Sequence, residues 1–219
     1  MERAAFLERV RRRLNGAAGP GLPSVFPLTP ASGNGMPPAE RFPIELAKSG
    51  GLARAVPRAR LAEAVAEVLG ELPSGRRVVV AADVEPYRAE VDAGLVAAAA
   101  EVVRPMPEEW RAEAATADWG LTSARLGVAS TGSLLIVPGP ETPRVASLLP
   151  PAHLVILAVE RLVPGLEQVM PVLTSLANES SAPVLITGAS RTSDIEMTTV
   201  IGVHGPKVLR VLLVEEGAD

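Results

Sequence analysis

Apolar positions along the chain switch between two periods, and the switches outline its elements. Phe6, Val10 and Leu14 recur at spacing four, which predicts a solvated amphipathic helix over residues 1–14, stopped by Asn15-Gly16. Residues 15–43 are dense in glycine and proline and read as a linker or wrapping arm. A short helix is expected over 44–49, ended by Gly50-Gly51, and Leu61, Val65, Val68 and Leu69 repeat at helical spacing. Residues 78–82 form a continuous apolar run that ends in Asp83, the pattern of a buried strand. Further along, helices are expected over 86–99, 108–115 and 166–177, and strands over 101–104, 154–159, 184–187 and 208–214. Residues 126–129 and 134–137 flank a Ser/Thr/Gly turn and read as a hairpin.

Strands that alternate with helices, several of them apolar throughout, predict an α/β domain with a mostly parallel sheet and flanking helices. The domain expectation is an arm with its helix over 1–43 and one α/β domain over 44–219. In such sheets ligands bind beyond the carboxyl ends of strands, so the loops there are the places to search.

Composition narrows the chemistry. The 219 residues contain no cysteine and two histidines, His153 and His204, and of 21 basic residues only Lys48 and Lys207 are lysines. Disulfides, thiolate nucleophiles, Cys-held iron–sulfur clusters and zinc fingers are excluded, and two histidines cannot build a His₃ zinc site. A formal net charge of −4 gives no sign of a nucleic-acid binder. No stretch reaches the roughly 18 apolar residues of a membrane span. The charged N-terminus is not a secretory signal, so the expected location is the cytoplasm.

Four loops could carry chemistry. Thr131, Gly132 and Ser133 follow Ser130 between two apolar strands and can present hydroxyls and backbone amides to an anion; a plain hairpin turn explains them equally. In residues 187–196, Gly188 permits a tight turn, and Ser193 with Glu196 has capping-box spacing for a helix start. There Ser190, Arg191, Asp194 and Glu196 suit a carboxylate or phosphate site, or only a capped loop. Asp194 and Glu196 lie two apart and diverge on a helix, so no metal pair is expected. His204, between Gly202 and Gly205, is the candidate acid or base near neutral pH, or a ring bonded to loop carbonyls. Glu160 follows the central strand directly and is the fourth candidate, an ion pair being the competing explanation. His153 opens that strand and is read as structural. No dinucleotide-binding, phosphate-loop, zincin or nucleophile-elbow motif is found.

Taken together, the segments TSARLGVASTGSLLI (122–136), LPPAHLVILAVERLVP (149–164) and TGASRTSDIEMTTVIGVHGP (187–206), with the closing LRVLLVEE, resemble the LUD domain family, which includes lactate utilization protein C. FPIELAKSGGLARAV (42–56) also fits, more weakly. Related members often carry Glu where this chain has Ser130. The resemblance implies a fold similar to ribose-5-phosphate isomerase and CoA transferases. It also implies a part in oxidising L-lactate to pyruvate, beside an iron–sulfur protein that itself carries a LUD domain and a second lactate utilization subunit. On this reading the chain holds no cofactor of its own and the cluster sits on the partner. The loops themselves, rather than the resemblance, give the expected roles: Arg191 pairs with a small carboxylate, Thr131, Ser133 and Ser190 orient it, and His204 or Glu160 serves as base. Alternatives are a stand-alone isomerase or acyl/CoA transferase with Glu160 as nucleophile, and a non-catalytic assembly subunit; an oligomer is compatible with each.

Overall fold

The structure, a computed structural model, describes residues 35–72, 76–176, 182–193, 199–202 and 204–217, together with isolated positions 5, 8, 9 and 12. Two compact units divide the chain, residues 1–30 and 31–219. In the first, Ala5, Glu8, Arg9 and Arg12 are helical; the rest of the helix expected over 1–14 lies outside the described residues.

The second unit is built on a six-stranded sheet. Its members are β1 (Leu52–Pro57), β2 (Arg77–Val80), β3 (Glu101–Val103), β4 (Trp119–Ser123), β7 (Ala152–Ala158) and β12 (Val208–Glu215). They stand in the order β1-β12-β7-β4-β2-β3, and every pairing is parallel. The parallel α/β sheet expected from the alternating pattern is therefore present. β7 lies inside the sheet with all seven residues buried, which is why its sequence reads as an unbroken apolar run.

Alternation along the strands sends side chains to two different layers. Leu154, Ile156, Leu121, Val78, Val80, Leu212 and Val214 share a core with α2 (Leu61–Leu69) and α3 (Arg88–Ala97). On the opposite face Val155, Leu157, Leu209, Val211 and Leu213 pack with Leu134 and Ile136 of a second sheet and with Phe42 and Leu46. That sheet runs β8 (Leu162–Val163), β5 (Leu126–Val128), β6 (Ser133–Ile136), β9 (Val184–Ile186). β5 and β6 form the expected antiparallel hairpin. Val169 and Leu176 of α6 (Val169–Leu176) pack with Leu126, Val128 and Leu135 in a separate core. Over β2 and β4 the same main-sheet face is covered by α4 (Trp110–Thr116) and α5 (Val145–Leu148).

Two expectations change. The helix expected over 44–49 runs from Pro38 to Lys48 as α1, and it buries Phe42 and Leu46 completely. Proline in a first helical turn loses no hydrogen bond, so the proline-rich stretch that reads as linker also starts a helix. Where Ser193 was expected to open a helix, Arg191–Ser193 is β10, paired antiparallel with β11 (Thr199–Ile201). Residues 194–198 lie outside the described residues.

If α1 is part of the core, Phe42→Ala lowers unfolding free energy in guanidinium titrations by about 3–5 kcal/mol, as for other large-to-small core changes. A loss below about 1 kcal/mol would show α1 to be a peripheral arm.

Candidate functional site

The last turn of α1 is the meeting point of three loops. Gly50 closes the helix with φ +80, and Gly50 and Gly51 amides donate back to Ala47 and Leu46 carbonyls. The Ser49 carbonyl, left over at the helix end, accepts the Ala189 amide at 3.1 Å. This contact requires Gly188, whose φ is +91 and where a Cβ would overlap the Ser49 carbonyl. The hairpin turn approaches the same helix at Gly132, φ +64, where a Cβ would overlap the backbone of Leu46. Both positions demand glycine twice over, for the left-handed backbone and for the missing side chain. The Arg191 guanidinium lies directly against Gly50.

Ser190 ties in the histidine loop. Its amide donates to the Pro206 carbonyl at 2.9 Å, and its carbonyl accepts the Gly202 amide at 3.0 Å. Behind the loop runs a row of hydroxyls: Thr131 Oγ1 lies 2.7 Å from Ser133 Oγ, which lies 2.6 Å from Thr187 Oγ1. Ser133 is buried, whereas Thr187 is exposed at the end of β9.

These loops rim a cavity of about 410 Å³, within the range of small-molecule sites. Thr187, Ser190, Arg191 and His204 line it, with an apolar wall of Val184, Leu185 and Ile186, and Ser147, Leu148 and His153 are also in the lining. Among the described residues, no carboxylate lines it. Arg191, exposed, has no acidic partner among the described residues, while Arg54, Arg58, Arg77, Arg104 and Arg210 are each ion-paired. A cationic side chain left free beside backbone amides and hydroxyls is suited to a small anion.

Of the residues singled out by sequence, Ser190, Arg191 and His204 come together on the cavity. Thr131, Gly132 and Ser133 sit behind it, with Ser133 bonded to the Thr187 that lines it and Thr131 bonded in turn to Ser133. Asp194 and Glu196 lie outside the described residues. Glu160 is not brought to the cavity: it follows β7 at the carboxyl end, whereas His153 lies at the amino end, roughly 20 Å away at strand rise. The cavity thus opens at the amino edge of β7 and β12, the opposite edge from the one parallel-sheet topology favours. Sequence reasoning gave Thr187 and Gly50 no site role, although the Thr-Gly and Gly-Gly pairs signal them, and read His153 as structural, since its place on the cavity depends on the strand register.

The carboxyl edge has a titratable group of its own. Asp83 Oδ1 accepts the Ser123 amide at 3.0 Å, and Ser123 Oγ donates to the Asp83 carbonyl at 2.7 Å. Burial pushes the Asp83 carboxyl up to about 7, the amide hydrogen bond opposing the shift. Among the described residues, no cluster of three or more His, Cys, Asp or Glu could hold a metal ion, and no helix is long and apolar enough to cross a membrane.

The LUD domain family model matches residues 53–214. Lactate utilization protein C of Deinococcus radiodurans is 30% identical over 160 residues, covering 73% of this chain and 71% of that protein. Lactate utilization protein C of Bacillus subtilis is 32% identical over 113 residues, 50% of this chain and 47% of that protein. An uncharacterized protein of Neisseria meningitidis is 33% identical over 109 residues, 49% of this chain and 47% of that protein. The match thus spans about half the length of these last two relatives. The crystal structure of a DUF162 family protein from Deinococcus radiodurans is similar with a TM-score of 0.60 at 25% identity, covering 81% of this chain and 96% of that one.

Because folding raises the Asp83 pKa, the folded state binds that proton more tightly than the unfolded state. The stability this contributes is complete below about pH 4 and is lost as pH rises toward 7. His153, held neutral by burial with its pKa near 3, acts in the opposite direction, so the two are separated by mutation. Asp83→Asn keeps an oxygen for the Ser123 amide and flattens the fall; denaturation midpoints of variant and wild type therefore converge at low pH and diverge toward pH 7. Parallel curves over the window would contradict the assignment.

Proposed function

The chain belongs to the LUD domain family, and on that premise we propose that it is a small-carboxylate-binding component of a lactate-utilization system. The observation that carries the proposal is Arg191, without an acidic partner among the described residues, on a cavity whose described lining holds no carboxylate. Arg191 holds the acid's carboxylate, Ser190 and Thr187 orient it, and His204 is the group that can exchange a proton. Thr131 and Ser133 act one step back by fixing the Thr187 hydroxyl, and Gly132 by letting the hairpin seat on α1. The names of two relatives give lactate, and the proposal takes the acid to be L-lactate or its oxidation product pyruvate.

Oxidation of lactate to pyruvate releases two electrons and two protons. His204 offers a base for one proton, but a chain without cysteine offers no thiolate to hold an iron–sulfur cluster. The proposal assigns the electrons to an iron–sulfur partner protein, with a second lactate utilization subunit completing the system. Glu160, at the other end of β7, takes no part at this cavity.

Isothermal titration with L-lactate tests the binding role. Wild type binds, and Arg191→Ala weakens binding about 10- to 100-fold, the value of one charge-assisted contact. Absence of binding for any small carboxylate, or binding that ignores Arg191→Ala, would overturn the proposal.

A further inference from the structure

Among the described residues, His153 has one ring nitrogen in use and one without a partner. The residue sits at the amino end of β7, in register with Gly120 of β4 and Leu209 of β12, and it lines the cavity. Its side chain is completely buried. Nε2 lies 2.9 Å from Thr122 Oγ1, itself buried. Nδ1 is buried and has no hydrogen-bond partner among the described residues. An orphaned polar atom costs free energy that an apolar residue of similar size would avoid. The layer around it is apolar, with Val155, Leu209 and Val211 on the same face. A group entering from the cavity that His153 lines is the candidate for the missing partner.

The chemistry of that ligand follows from the ring's state. Burial alone holds the imidazole neutral, so it carries one N–H and one lone pair. Thr122 can donate to Nε2, which leaves Nδ1–H as a donor. It can instead accept from Nε2–H, which leaves Nδ1 as an acceptor. Rotation of one hydroxyl together with the tautomer change thus reverses what Nδ1 presents to the cavity. A 2-oxo acid offers an acceptor oxygen at C2, and a 2-hydroxy acid offers a donor there. A pair that can reverse reads both with one nitrogen, and being neutral it does not compete with Arg191 for the carboxylate.

We propose that His153 Nδ1, set by Thr122, is a specificity-determining contact to the C2 oxygen of a 2-hydroxy or 2-oxo carboxylate whose carboxylate rests on Arg191. The inference rests on the carboxylate-binding reading above and adds to it the recognition of C2. The apolar wall of Val184, Leu185 and Ile186 leaves room for the substituent beyond that carbon.

Calorimetric titrations with L-lactate, pyruvate and propionate, which lacks the C2 oxygen, separate the two claims. Wild type binds lactate and pyruvate each about tenfold tighter than propionate, the value of one neutral hydrogen bond. His153→Phe binds all three at the propionate level, and Thr122→Val reduces the preference for the hydroxy or the oxo acid unequally. Equal binding of the three acids by wild type, or a preference retained in His153→Phe, overturns the role of His153 and leaves the carboxylate site standing. No binding of any acid overturns both. A nitrogen-15 NMR spectrum of histidine-labelled wild type covers the case in which His153→Phe does not fold. With two histidines in the chain, the His153 Nδ1 resonance moves on adding pyruvate or lactate and not on adding propionate. An Nδ1 resonance that ignores pyruvate and lactate overturns the inference.

Discussion

Backbone seated directly on backbone at the end of α1 is the contact from which the cavity is assembled. A helix terminus leaves carbonyls without partners, and here the Ser49 carbonyl is taken by the Ala189 amide from a distant loop. The approach is close enough that Gly188 and Gly132 admit no side chain. Because the two loops rest on one helical turn, Ser133 and Thr187 come within hydrogen-bonding distance, and Arg191 lies against Gly50. Ser190 then carries the restraint into the loop of His204 through two backbone hydrogen bonds. The polar lining is thus positioned by main-chain contacts and glycine, with few side-chain ties.

Charge is distributed so that the two edges of the parallel sheet differ. At the amino edge the cavity holds a guanidinium with no acidic partner among the described residues, hydroxyls and a histidine kept neutral by burial. At the carboxyl edge Asp83 is buried against the Ser123 amide, and Glu160 follows the end of β7. A cation beside neutral donors favours an anion; a carboxyl that resists ionisation does not. The second sheet produces this inversion. It leaves the main sheet after β4, and β9 returns the chain to the amino edge beside His153, so the loop after a strand of the small sheet faces the start of strands in the large one.

Much of this was legible in the order of residues. The apolar runs that became β2, β7 and β12 are buried on both faces, and such strands announce themselves. β4 was missed because Trp119–Ser123 is short and its apolar run is broken by Gly120, Thr122 and Ser123, residues set by their neighbours: a Cβ on Gly120 would overlap the Ala146 carbonyl of α5, and Thr122 meets His153. β1 was missed because, at the sheet edge, Leu52–Pro57 has one buried residue. The loops around 131 and 190 and His204 stood out as local chemistry. What could not be read was their common seat on α1 and the sheet edge they occupy, since both depend on contacts between residues far apart in sequence. The carboxyl-edge rule favoured Glu160 and left His153 as structural for that reason.

A crystal structure of the protein with pyruvate bound tests the central claim most directly. The account predicts density in the cavity between Arg191 and His153, with the carboxylate on the guanidinium and the keto oxygen toward Nδ1. Pyruvate bound instead beside Asp83 or Glu160 at the carboxyl edge, with the cavity empty, would contradict it.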